Sequence, residues 1–268
     1  MLTAIILELQ PINDAKLPLS HGVFSYAAAL SLLERIEPDL PRRLHDSASS
    51  KPLTTSPVWG GFRDGTLFRL QRGKTYRWRL TGLDEAVSTC LSYTEAGVGN
   101  VRIGDTIFCI NRVLSEPQED PEVGKTTYES LWSHWQNISP PVRFPVQFHT
   151  PTTFRRGHVE DPFPAPHLVF GSLVNSWNTH SPQSLGEITD VLREMVILTN
   201  WKGETRRVEL GSRRTVGFVG KFTYSVIENL PEICRVLGLL LDYAFYAGVG
   251  WQTTHGLGQT RLAYKVKE

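Results

Sequence analysis

Cysteine is scarce: Cys90, Cys109 and Cys234 are the three in 268 residues. They lie far apart, form no Cys-x-x-Cys pair, and none stands beside a histidine at zinc-finger spacing. A disulfide framework and a structural zinc site are therefore not expected. Long apolar runs are also missing, since the richest, Val236 to Leu241, stops at Asp242, far short of a membrane span. The opening Met1 to Gln10 lacks a basic region and meets Glu8 early, which does not fit a signal peptide, so the expectation is a cytoplasmic protein. Nor is there an excess of one charge. With 28 Lys+Arg against 27 Asp+Glu the formal charge is +1, which excludes an indiscriminate polyanion coat or an acidic tail protein. Hydrophobic residues at 40% and charged residues at 21% describe a globular chain.

What is present reads as two similar halves. Leu2 to Leu9 predicts a strand, and a helix capped by Ser20 follows over about Gly22 to Ile36, with Phe24, Ala27, Ala28, Leu32 and Ile36 on one face. Pro38 and Pro41 are expected to end it, leaving His45 in a polar loop. Leu53 to Trp59 and Leu67 to Leu80 read as strands, Asp84 to Glu95 as a short helix and Thr106 to Leu114 as another strand. The acidic, proline-containing Glu116 to Gly124 reads as a loop, Tyr128 to Trp135 as a short bridge, and Pro140-Pro141 as a boundary. The pattern then repeats. Val142 to Phe148 is a strand, Pro166 to Asn178 a helix, Met195 to Leu210 and Thr215 to Ile227 strands, Pro231 to Ala247 a helix and Thr260 to Val266 a closing strand. The order strand, helix, strand, strand, helix, strand is that of a split βαβ unit. The expected class is α+β, with tandem ferredoxin-like domains over 1–138 and 139–268; a single α+β domain is the alternative.

Three groups of residues carry chemistry. In Gly248-Val-Gly250-Trp-Gln252-Thr-Thr-His255-Gly256-Leu-Gly258, four glycines permit positive φ and close backbone approach, and successive amides in such a loop can form an anion-binding concavity. The loop follows a helix and precedes a strand, the reverse of a dinucleotide fingerprint. Gly73-Lys74-Thr75 and Gly124-Lys125-Thr126 lack the upstream glycine of a phosphate-binding loop, having Phe68 and Glu119 there. Nucleotide binding is therefore not expected. A glycine-capped helix and tight turn is the alternative reading, which accounts for two of the glycines easily and for four poorly.

Basic charge clusters at Arg63, Arg69, Arg72, Lys74, Arg77 and Arg79, and again from Arg193 through Lys202, Arg206, Arg207, Arg213 and Arg214 to Lys221. The two Arg pairs flank a possible turn at Gly211-Ser212, and a ribbon projecting four guanidiniums suits phosphate oxygens; a charge-guarded strand edge is the other reading. Among the histidines, His21 begins the first helix, where the dipole lowers an imidazole pKa, and His45 lies near Lys51. A neutral imidazole as base, a second as acid and a lysine near developing phosphorane charge suffice to cleave RNA without metal.

Taken in order, these segments resemble the RAMP superfamily of CRISPR-associated proteins, and within it the endoribonuclease that processes CRISPR precursor RNA. Leu17-Pro-Leu through Leu44-His45-Asp46 to Lys51-Pro52-Leu53-Thr54-Thr55-Ser56-Pro57 resembles the family's first segment. Phe148-His-Thr-Pro151-Thr-Thr-Phe154, with Pro164, Pro166, Val169-Phe170, Ser172-Leu173 and Trp177, resembles the start of its second half, and Gly248 to Gly258 its glycine-rich loop. The resemblance implies cleavage of CRISPR repeat RNA on the 3′ side of a stem-loop by 2′-hydroxyl attack, leaving 5′-hydroxyl and 2′,3′-cyclic phosphate ends, with no metal or other cofactor. It carries over His45 and Lys51 as catalytic residues, and His21 at a position where the family varies. Arg206, Arg207, Arg213, Arg214, Gly248, Gly250, Gln252, His255, Gly256 and Gly258 are then RNA-binding. Effector-complex subunits and a second copy of the chain are further partners it implies, with no membrane involved. The rival readings are a non-catalytic RNA-binding subunit of a CRISPR effector and, more remotely, a structural protein without RNA.

Overall fold

In the computed structural model, described for residues 1–46, 50–95, 97, 99–211, 213–228 and 230–263, the strand Leu2–Pro11 is buried along almost its whole length. It is central: Tyr76–Gly82 pairs with it on one side and Thr106–Leu114 on the other, both antiparallel. Its side chains therefore split between two faces. Ile5, Leu7 and Leu9 enter the main core, and Ile6 packs with Leu114 and Val123 on the opposite face. Ala28, Ala29, Leu32 and Leu33 from the helix Gly22–Ile36, and Val87, Cys90 and Leu91 from Glu85–Ser92, complete the main core. The sheet order Leu53–Thr55, Tyr76–Gly82, Leu2–Pro11, Thr106–Leu114, Asn100–Ile103 gives the ferredoxin-like arrangement with one extra edge strand, and Gly124–Thr126 pairs with the start of Leu2–Pro11 as a sixth strand.

The same order appears in the second sheet: Val196–Leu210, Arg213–Val226, Arg143–Thr152, Thr260–Leu262. Phe144, Val146 and Phe148 point inward from its inner strand and are fully buried, with Phe222 and Tyr224 from the neighbouring strand. Pro231–Ala247 carries proline in its first turn, as its missing N–H allows there. Gly238 within this helix is obligatory: a Cβ would stand 2.1 Å from the Trp135 ring. That indole donates to the Asp242 carboxylate at 2.7 Å, satisfying a side chain whose pKa burial pushes up.

The fold is thus α+β, with two ferredoxin-like sheets. Contacts divide the chain into one unit of Met1–Thr126, Val208–Arg214 and Thr254–Gly256, and a second of Thr127–Arg207, Thr215–Thr253 and Leu257–Glu268.

Several local expectations are corrected. Leu67 to Leu80 is not one strand: it breaks into Leu67–Leu70 and Tyr76–Gly82, because Gly73 takes φ +78 in the turn between them. The first helix does end at Ile36, just before Pro38, but no polar loop follows Pro41, which sits in the first turn of a second short helix, Leu40–Asp46. On the first helix the buried face is Gly22, Ser25, Ala28, Ala29, Leu32 and Leu33, and Phe24 and Ile36 are exposed. Thr189–Met195 and Asn100–Ile103 are elements the sequence reading passed over. Residues 264–266 of the expected closing strand lie outside the described residues.

Candidate active site

His45 occupies the last turn of the helix Leu40–Asp46, which Leu40 and Leu44 fix to the first unit by burial. It is therefore helical, not in a loop. The imidazole faces solvent with its side chain 86% exposed, and Nδ1 lies 3.5 Å from Asp46 Oδ1. Lys51 Nζ donates to the His45 carbonyl at 3.0 Å. The backbone of one residue thus holds the ammonium of the other, bringing a proton-transfer group and a fixed cation to one exposed place. Residues 47–49 between them lie outside the described residues.

His21 is placed quite differently. It is 1% exposed; Nδ1 is 2.8 Å from the Pro18 carbonyl, and Nε2 accepts from the Val58 amide at 2.8 Å. A carbonyl on one side and an N–H on the other fix the neutral tautomer with the proton on Nδ1. Burial lowers its pKa, the two backbone bonds opposing this; the cause is desolvation and not the helix dipole. Both nitrogens are engaged, so this ring has no atom left for a substrate proton. Ser20 likewise does not cap the helix: its Oγ accepts from the Glu209 amide at 2.9 Å, and the cap position is His21 without a side-chain bond.

One turn further along this helix is a residue sequence reasoning missed. Tyr26 is half-buried, burial raises its phenol pKa, and its ring meets His255 edge-on at 5.3 Å. The signal was present as an i, i+4 pair: Gly22 and Tyr26 share the helix face toward Thr254–Gly256. At Gly22 a Cβ would stand 1.7 Å from the His255 carbonyl oxygen, and at Gly256 one would stand 2.8 Å from the Pro57 ring. Thr55 Oγ1 donates to the Thr254 carbonyl at 2.9 Å. Burial lowers the His255 pKa, so this imidazole is neutral at pH 7.

In the glycine loop most amides bond within the protein. Val249 N–H donates to Gly258 O at 2.9 Å, Trp251 N–H to Thr153 O at 2.8 Å, Gly258 N–H to Pro151 O at 3.1 Å, and Gly250 N–H to Ser172 Oγ at 2.8 Å. The expected concavity of amides is therefore not found in these positions. Instead the glycines admit close backbone approach, for a Cβ would stand 2.4 Å from Thr153 O at Gly250 and 2.0 Å from Val249 O at Gly258. Gly248, the helix C-cap, has φ +66. Gln252 takes φ +63, rare for a residue with a Cβ.

The two arginine pairs do lie on a two-stranded hairpin, Val196–Leu210 with Arg213–Val226; Ser212 lies outside the described residues. All four side chains are exposed, but the ribbon does not project four unopposed guanidiniums. Arg206 Nε is 2.8 Å from Glu204 and Arg214 Nε 3.4 Å from Glu209. The earlier basic cluster is largely spent on structure. Arg69 pairs with Asp64 and Arg77 with Asp120, and Arg79 is buried with Nε donating to Glu122 O at 2.7 Å. Among the described residues no three His, Cys, Asp or Glu side chains converge as a metal centre would require, and no helix is long and apolar enough to cross a membrane.

Residues 146–260 match the family model of CRISPR-associated endoribonuclease Cas6, a segment that runs from the inner strand of the second sheet through the glycine loop. A Cas6 product complex superposes with a TM-score of 0.79 at 27% identity, covering 97% of this chain and 99% of that one. The chain is thus similar to Cas6, in sequence over this segment and in fold over nearly its whole length. A Thermus thermophilus Cas6 structure is 25% identical with a TM-score of 0.76, covering 97% of this chain and 98% of that one. Among curated proteins, the Streptococcus thermophilus CRISPR-associated endoribonuclease Cas6 is 29% identical over 122 residues, 44% of this chain and 50% of that protein. A Mycobacterium tuberculosis relative of the same name is 25% identical, over 45% of this chain and 38% of its own length. The aligned part therefore spans half or less of these curated relatives, whereas the likeness of fold spans nearly the whole chain. A RAMP protein at 14% identity, TM-score 0.62, shares the fold.

Proposed function

We propose that this chain is a metal-independent endoribonuclease that cuts CRISPR repeat RNA at the 3′ base of a stem-loop. The observation that carries the reading is the Lys51 ammonium held on the backbone of the exposed His45. In the proposed reaction the 2′-oxygen attacks the adjacent phosphorus and the bond to the 5′-oxygen breaks. The 2′-hydroxyl gives up its proton and the departing 5′-oxygen gains one, leaving a 2′,3′-cyclic phosphate and a 5′-hydroxyl. His45 is the proton-transfer residue, and Lys51 stabilises the charge that gathers on the phosphate oxygens in the transition state. His21, with both nitrogens engaged, acts as a positioning residue: it ties the start of the first helix to Val58. His255, Gln252 and the arginine hairpin hold RNA, while Gly248, Gly250, Gly256 and Gly258 shape the loop that presents them. Recognition of a stem by shape and phosphate contacts fits such a surface.

Incubation of the protein with end-labelled repeat RNA in EDTA tests this. A single cut at the foot of the stem, with a cyclic phosphate on the upstream product, is expected. Binding without cutting would instead favour a non-catalytic RAMP subunit.

A further inference from the structure

The second unit carries a feature the proposed reaction does not use. An open groove of about 460 Å³ lies on its sheet, lined by Arg143, Pro145, Asn200, Lys202, Lys221 and Thr223. Strand alternation explains which residues reach it. Phe144, Val146, Phe222 and Tyr224 point into the core, so their neighbours Arg143, Pro145, Lys221 and Thr223 point the other way. Register places Pro145 opposite Thr223 and Gln147 opposite Lys221. The third strand runs alongside, with Lys202 next to Gly220: a Cβ at Gly220 would stand 2.3 Å from the Lys202 carbonyl oxygen. Lys202 and Lys221 thus belong to adjoining stretches of neighbouring strands. Three cations line the groove, and among the described residues no carboxylate does. The like charges of Lys202 and Lys221 on adjacent strands repel, and an anion bound between them would relieve that repulsion.

The geometry points to a second RNA site here, one that takes the phosphodiester backbone of single-stranded RNA next to the cleaved stem. The inference rests on RNA being the substrate. The choice of single strand follows from the surface: a positively charged groove that tracks the backbone is how sequence-tolerant single-strand sites hold their ligand, whereas A-form duplex is read by shape across a wide minor groove. Among the described residues no aromatic ring lines the groove, so stacking of bases does not contribute. Phosphates carry the binding, which makes it tolerant of sequence and steep in salt.

The test compares the intact protein with Lys202→Ala/Lys221→Ala and with the charge-keeping Lys202→Arg/Lys221→Arg, using a uridine oligonucleotide titrated across a salt series. The alanine pair is expected to bind about tenfold more weakly and to lose about 1.4 from the slope of log K against log salt, near 0.7 per phosphate contact. The arginine pair is expected to keep both. Unchanged affinity and slope in the alanine pair would overturn the site. So would polyglutamate competing as well as RNA, which would mark an acidic protein segment as the occupant. Stem-loop cleavage by the same preparations reads the nuclease separately. Cleavage absent from all three, with the expected uridine result, removes the nuclease and keeps the groove; cleavage present with unchanged uridine binding does the reverse.

Discussion

The Val58 amide donates to Nε2 of His21 at 2.8 Å, and on the other side of the ring Nδ1 meets the Pro18 carbonyl at the same distance. A side chain 1% exposed therefore bridges two chain segments some 40 residues apart, and only its neutral form fits both partners. Replacing it by alanine leaves an amide and a carbonyl without partners and opens a cavity. The expected cost is about 2 to 4 kcal/mol of stability, read by denaturant unfolding. A loss below 0.5 kcal/mol, on the scale of an ordinary surface substitution, would show that the bridge is dispensable.

The same ring sets a pH dependence. The folded-state pKa of His21 is lowered by burial from its ordinary 6.5, so the unfolded chain binds the proton more readily. Stability from this group is complete above pH 6.5 and is lost as pH falls through the folded-state pKa. His255, lowered by burial as well, acts in the same direction. The melting temperature should fall on acidification below pH 6.5, and fall less steeply in His21→Gln. Parallel curves for the two proteins would remove His21 as the source.

His45→Ala should slow cleavage of repeat RNA by about 10² to 10⁴-fold while leaving the melting temperature in place, because the side chain faces solvent. Lys51→Ala should lower kcat more than it raises KM, since its charge acts on the transition state. Single-turnover rates at saturating protein decide both; a His45→Ala protein cutting at the wild-type rate would reject the assignment.

Gln252 stands at φ +63, where a Cβ costs about 1 to 2 kcal/mol. Gln252→Gly should raise stability by about 1 kcal/mol and at the same time weaken RNA binding, a separation that calorimetry and a filter-binding titration would show. Weaker folding in the glycine variant would mean that the side chain, not the backbone, is what the position needs.

Charge removal at Arg206, Arg207, Arg213 and Arg214 together should weaken repeat binding and flatten its salt dependence. Because Arg206 and Arg214 already face Glu204 and Glu209, Arg207→Ala/Arg213→Ala should account for more than half of the change in slope. An unchanged slope in the fourfold variant would take the hairpin out of the RNA site.

The local part of this architecture is legible in the sequence. Pro231–Ala247 is bounded by a proline that suits a first turn and a glycine that takes φ +66 at its end, and Leu2–Pro11 is a run of leucine and isoleucine that reads as a strand. The short helix Leu40–Asp46 was hidden because Pro41 is as compatible with a helix start as with a stop. Leu67 to Leu80 reads as one strand because apolar alternation continues across a turn that only the positive φ of Gly73 reveals. The site divides in the same way. His45 and Lys51 are six positions apart and stand out by motif. What disqualifies His21 from proton transfer is a bond to Val58, a tertiary contact without a local sequence mark. Equally, the glycine loop's composition suggests free amides, and their partners Thr153, Ser172 and Pro151 are far away in the chain.

The first unit includes Val208–Arg214 and Thr254–Gly256 as well as Met1–Thr126. During synthesis, its first 126 residues leave the ribosome long before the amide that meets Ser20 and the carbonyl that meets Thr55 exist. A domain made of the first part of a chain ordinarily folds first. Here its last pieces arrive only with residue 256, so completion of the unit bearing His45 and Lys51 must wait until the intervening second unit has largely been made.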